Sequence, residues 1–118
     1  MRDKRPVESP KLGPEDLDPA PEFLNDEAKR EWKRILTDLV DTGLVCSVDQ
    51  AALAAYCQTY SRWMEAERQV HASGLLVKVN GVPVPNPYLS IADRSMAQMR
   101  LFLREFGLSP SSRVRIQR

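Results

Sequence analysis

Asn86 to Arg113 reads NPYLSIADRSMAQMRLFLREFGLSPSSR, and every local signal in it agrees on one structure. Asn86 can cap a helix, and Pro87 fits the first helical position, where no backbone N–H is needed. Apolar residues then recur at Leu89, Ala92, Met96, Met99, Leu103 and Phe106, the spacing of one buried helical face. Gly107 accepts the left-handed conformation that closes a helix, and Leu108 stands where it can fold back on Leu103 in a Schellman cap. Ser109-Pro110 then reads as a second cap and first position, opening a short turn with Ser111, Ser112 and Arg113.

Upstream of this helix, residues 75–84 (LLVKVNGVPV) are the strand-like stretch of the chain. Asn80-Gly81 between Val79 and Val82 predicts a hairpin, since both residues tolerate the positive φ of a type I′ turn. Pro83 and Pro85 confine the second arm to an edge. A lone two-stranded hairpin is marginal in water, so it is expected to lean on the helices or on a neighbouring chain.

Before the hairpin, Ser47 and Gln50 form a capping box for a helix running to about Ala72. Its apolar residues, Ala52, Ala55, Tyr56, Tyr60, Trp63, Met64 and Val70 with Leu53 and Cys57 beside them, cover an arc of roughly 200° at 100° per residue. Either this helix is central to a compact bundle, or its aromatic flank, with Tyr56, Tyr60, Trp63 and Met64, packs against another subunit. Earlier still, Asn25 caps a helix with Asp26 and Glu27 in its first turn. Ala28, Trp32, Ile35, Leu36 and Leu39 form its apolar stripe, and Gly43 marks its end. The fold class is mainly α: a helical hairpin plus a third long helix, with a small β-hairpin between the second and third helices. Residues 1–22, with five prolines and ten charged residues, read as a disordered arm before a single helical domain at 23–118.

A chain of 118 residues with 42% hydrophobic content holds one modest core. The net charge of +1 hides a segregation: residues 93–118 carry six arginines against Asp93 and Glu105. Cys46 and Cys57 stand without CxxC spacing or partner histidines, which argues against a zinc site or disulfide framework and for a reducing, cytosolic compartment. No apolar run approaches the roughly 18 residues of a membrane span, so no membrane association is expected.

Catalysis needs convergent acid, base or nucleophile groups, and the chain offers few. His71 is the lone histidine, near a helix end where a cation suits the dipole. No Gly-rich phosphate loop and no acidic pair suited to a metal stands out, so neither enzyme activity, nor a metal, nor a cofactor is expected. Arg113, Arg115 and Arg118 are the candidate anion-binding group, since each guanidinium can grip a phosphate through two N–H groups; an ordinary basic tail is the alternative. Arg2, Lys4 and Arg5 of the arm could also touch nucleic acid, against an inert solvated tail. Lys29, Arg30, Lys33 and Arg34 share one side of the first long helix and could track phosphates, or form a solvated face bordered by Glu31 and Asp38. The helix–turn–helix around Leu39 to Gln50 invites comparison with a DNA-reading motif, but its second helix opens Ser47-Val48-Asp49-Gln50-Ala51-Ala52 and turns apolar, which suits a structural hairpin better.

With these pieces placed, residues 20 to 116 resemble the small terminase subunits of tailed double-stranded-DNA bacteriophages. The resemblance is carried by the Trp32-Ile35-Leu39 helix with Gly43-Leu44, the YCQTYSRWMEAE run of Tyr56 to Glu67, the Asn80-Gly81 hairpin, Asn86-Pro87, and the most specific motif, GLSPSSR at Gly107 to Arg113. It implies a non-catalytic subunit in the cytoplasm of the infected bacterial host. Such a subunit assembles into a homo-oligomeric ring, binds double-stranded viral DNA and delivers it to the large ATPase–nuclease terminase subunit. The remaining alternatives are a small helix-turn-helix DNA-binding regulator and a protein-interaction adaptor that does not bind nucleic acid.

Overall fold

The computed structural model of the chain describes residues 19–45 and 48–108. The elements run α1 (Asp26–Asp41), α2 (Gln50–Ser73), β1 (Leu76–Val79), β2 (Val82–Pro85) and α3 (Tyr88–Glu105). Residues 1–18 of the arm, the expected cap at Ser47, the second turn at Ser109–Arg113 and the arginines beyond it lie outside the described residues.

Each helix starts and stops where a side chain or a glycine takes up orphan backbone groups. The Asn25 side chain accepts from the Ala28 N–H at 2.8 Å to open α1. At its other end Gly43 has φ 75°, with Gly43 N–H donating to Val40 at 3.1 Å and Leu44 N–H to Leu39 at 2.8 Å. The same pair of bonds closes α3: Gly107 has φ 81°, its N–H reaches Arg104 at 3.0 Å, and Leu108 N–H reaches Leu103 at 2.9 Å. Both are the Schellman arrangement. Asn86 holds the start of α3, accepting the Tyr88 N–H at 3.0 Å and donating to the Gly74 carbonyl at 2.9 Å. It therefore ties the entry of α3 to the exit of α2. At the start of α2 the Asp49 side chain accepts from the Ala51 N–H at 2.9 Å. A carboxylate one residue before the first helical turn does this directly and also answers the helix dipole.

The core sits where α1, the first half of α2 and the last turns of α3 meet. Leu24, Ala28, Trp32, Ile35, Leu36 and Leu39 enter from one side, and Leu53, Ala54, Tyr56 and Cys57 from the middle. Phe106 closes it, with Met99, Phe102 and Leu103 packed behind. Buried positions on this half of α2 span a wide arc, from Ala54 and Ser61 around to Thr59, because α1 covers one side and α3 another. The apolar arc is thus occupied within the chain over this half. Ala55, expected on the apolar face, is exposed, whereas Ala54, Thr59, Ser61 and Ala66 are buried.

Beyond Ser61 the chain narrows to a stalk of α2 against α3, whose fully buried residues are small: Ala66, Ala92 and Ser95. Its tip is the β-hairpin. Asn80 (φ 52°) and Gly81 (φ 79°) make the two-residue turn, and the register pairs Val79 with Val82, Lys78 with Pro83, Val77 with Val84 and Leu76 with Pro85. The hairpin leans on the helices little: Leu75, Leu76, Val79 and Val82 are all more than half exposed.

Candidate assembly and DNA-binding surfaces

At the base, a carboxylate is buried on purpose. Glu31 is 3% exposed, and three donors converge on it: Arg34 Nε at 2.8 Å, Arg34 Nη2 at 2.6 Å and Tyr56 Oη at 2.5 Å. A buried charge is tolerable only when paired and hydrogen-bonded in this way. Burial first, and then the bond to Glu31, hold the Tyr56 phenol well above its ordinary range. The Glu31 pairing does the same for the Arg34 guanidinium. The neighbouring Cys57 thiol is 0% exposed and pushed up to about 12 by burial, with the Glu31 charge adding to it. Such a thiol is inert as a nucleophile. The arrangement is a structural clamp between α1 and α2. The sequence had placed Glu31 at the edge of a basic face; the signal it offered was an acid inside an apolar stripe with an arginine at i+3.

Tyr56 is therefore not free to meet another chain. Its ring is 1% exposed and stands edge-on to Phe102 and Phe106, with centroids at 6.4 and 6.1 Å. The other residues of the expected assembly face behave differently. Tyr60, Trp63 and Met64 are half-buried on the flank where the core gives way to the stalk. Tyr60 lies 6.4 Å from Tyr56 and 6.1 Å from Trp63, so an aromatic row leads from the core to the surface. Trp63 Nε1 donates to Glu67 at 3.0 Å, which ties the indole along α2.

Of the candidate phosphate contacts, α1 presents Lys29, Arg30 and Lys33, which make no ion pair among the described residues. Arg34 is committed, at 2.6 Å to Glu31 and 3.7 Å to Asp38. Arg2, Lys4, Arg5, Arg113, Arg115 and Arg118 lie outside the described residues. On α3, Arg94 and Arg100 are exposed. The start of α2, which a reading helix would present to base edges, instead borders an apolar groove with Pro19, Pro21, Phe23 and Trp32. Among the described residues no three His, Cys, Asp or Glu side chains gather as a metal site, and His71 is exposed at the end of α2.

Helical hairpin, β-hairpin, Asn-Pro helix and Gly-Leu close thus stand in the order that the resemblance requires, and the family profile agrees. The description "phage terminase, small subunit" matches residues 28–118. The chain belongs to the phage terminase small-subunit family. The match covers every element from the first turn of α1 onward, so it includes the clamp, the aromatic flank and the stalk. No curated protein and no solved structure gives a significant match. Membership assigns this small terminase subunit to phage DNA packaging in the infected host cell, in a family that is generally non-catalytic. No helix among its described residues is long and apolar enough to cross a membrane.

Proposed function

We propose that the chain is the oligomeric DNA-binding adaptor of its packaging system: a homo-oligomeric ring in the host cytoplasm that recognises double-stranded viral DNA and regulates the large ATPase–nuclease subunit. The single observation that carries this reading is the family match joined to the half-buried flank of Tyr60, Trp63 and Met64, which the chain's own helices leave incompletely covered. An amphipathic aromatic flank of this kind suits a subunit contact, since tryptophan and tyrosine supply large contact area at little entropic cost.

DNA is held in this reading by Arg113, Arg115 and Arg118, with Lys29, Arg30 and Lys33 of α1 and the arm residues Arg2, Lys4 and Arg5 as further contacts. These are phosphate contacts, so affinity is steeply salt-dependent and weakly sequence-specific. Neutralising three such arginines is expected to lower affinity for duplex DNA at least tenfold at low salt and to flatten the salt dependence by about three in log–log slope. Filter binding across a salt series checks this, and affinity that is unchanged by salt or by the triple substitution overturns the DNA assignment. Replacing Trp63 by Ala is expected to dissociate the assembly in light scattering. An intact oligomer that merely melts earlier would return Trp63 to the internal core.

A further inference from the structure

From the hairpin we infer a second, two-fold contact between copies of this chain: β1 pairs antiparallel with β1 of a second copy, giving a closed four-stranded sheet in the order β2–β1–β1–β2. The inference concerns the tip of the stalk and goes beyond the ring contact on the aromatic flank.

The hydrogen-bond parity of the hairpin decides which edge can take a strand. The Asn86 N–H donates to the Leu75 carbonyl at 2.8 Å, just outside the Leu76–Pro85 pair. Bonded and non-bonded pairs alternate in an antiparallel ladder. Leu75/Asn86, Val77/Val84 and Val79/Val82 are therefore the pairs that bond inward, the last across the type I′ turn. Lys78/Pro83 and Leu76/Pro85 direct their backbone groups outward. On β2 both outward positions are prolines, which have no N–H, so that edge cannot donate to a further strand. On β1 the outward N–H groups belong to Leu76 and Lys78, and neither meets an acceptor among the described residues. The sheet is open on one side and sealed on the other.

A second copy is the occupant that this asymmetry fits. An added foreign strand would leave its own outer edge open, whereas pairing β1 with β1 leaves proline-sealed edges on both sides and stops there. The register follows from the same parity. Both outward residues of β1 are used only when Leu76 faces Lys78 of the second copy, which puts Val77 opposite its own equivalent on the two-fold axis. The lysines do not face each other, which avoids opposed like charges. Val77, Val79, Val82 and Val84 all lie on one face of each hairpin by the register, and Val79 and Val82 are 53% and 58% exposed. Pairing makes these a continuous eight-valine face. The contact is isologous, so where ring neighbours meet head to tail it joins a chain of one ring to a chain of another.

Cysteine cross-linking in the full-length protein tests this. Opposed non-bonded residues have Cα atoms about 4.5 Å apart, within disulfide reach. Val77→Cys is expected to give a disulfide-linked dimer under mild oxidation, while Val79→Cys, offset by several residues from its equivalent, gives none. Lys78→Pro removes an edge N–H that has no partner among the described residues, so the hairpin and the melting temperature are expected to be retained. It is expected to abolish the Val77→Cys cross-link and to halve the solution mass. Bridging at residue 79 as readily as at 77, no bridge at 77, or a bridge that survives Lys78→Pro would overturn the inference. Trp63→Ala separates the two contacts: loss of the ring with the Val77→Cys bridge intact leaves this one standing.

Discussion

The base and the stalk are built from the same two helices, yet they bury different things. At the base, α2 and α3 meet over Leu53, Tyr56, Cys57 and Phe106, with α1 supplying Ile35 and Leu39. Along the stalk the same helices meet over Ala66, Ala92 and Ser95, where α1 contributes only the Glu27–Arg68 ion pair among the interactions of the described residues. Small residues bring two helices close but remove little apolar area from water, so the larger side chains of the stalk stay half-exposed on its flanks. Burial of about 25 cal/mol per Å² is concentrated in the base, and this is where folding stability resides. The stalk is left with apolar surface on its flanks, which is where the proposed subunit contact is placed.

The contrast breaks if a core change in the base proves cheap. Leu39 is 0% exposed, and Leu39→Ala leaves a cavity between α1 and α2 that the clamped helices cannot close. The expected loss is about 2–5 kcal/mol in chemical denaturation. Val79→Thr at the tip keeps a β-branched side chain on an exposed position and is expected to stay within about 0.5 kcal/mol. Equal losses at the two positions would mean that stability is spread along the whole molecule and not concentrated at its base.

A smaller effect sharpens the account of the base itself. Tyr56→Phe retains the edge-on contacts with Phe102 and Phe106 and removes only the hydroxyl that donates to Glu31 at 2.5 Å. The buried carboxylate then lacks one of its three donors, at an expected cost of about 1–3 kcal/mol. Adding Glu31→Gln to Tyr56→Phe should recover part of that loss, since the charge is gone. If Tyr56→Phe melts with the parent protein, the clamp is not a stabilising element, and aromatic packing alone joins α1, α2 and α3.

Much of this was legible in the sequence, and the reasons are local. Helix ends were readable because Asn25, Gly43, Asn86 and Gly107 act through their own backbone neighbours. The hairpin was readable because Asn80-Gly81 admits positive φ at both positions. The apolar stripe of α1 was also readable, since one face of that helix meets one partner. What failed depends on third parties. Tyr56 looked like part of a subunit contact because the arrival of Phe102 and Phe106, almost fifty residues later in the chain, cannot be seen from the spacing within α2. Glu31 looked solvated because its main partner outside the helix, Tyr56, is 25 residues away.

The alkaline response is the effect most specific to the base, since the stalk buries no titratable group of this kind. The Cys57 thiol is raised from 9.0 to about 12, and the Tyr56 phenol is raised from 10.0 as well. Both groups are neutral when protonated, and the folded chain holds that proton more tightly than the unfolded chain does. Their stabilisation is therefore complete below pH 9 and declines as pH rises from there towards about 12, because the unfolded state sheds its protons first. The melting temperature should fall across that window, beginning near the unfolded cysteine value. Cys57→Ala lowers stability at every pH by its lost packing, but it should also delay the alkaline decline until the tyrosine range is reached. Comparison of slopes, not of absolute melting temperatures, isolates the proton linkage. If the slopes coincide, the thiol is not carried into the base in its neutral form, and the dryness of the α1–α2 seam at Cys57 would have to be given up.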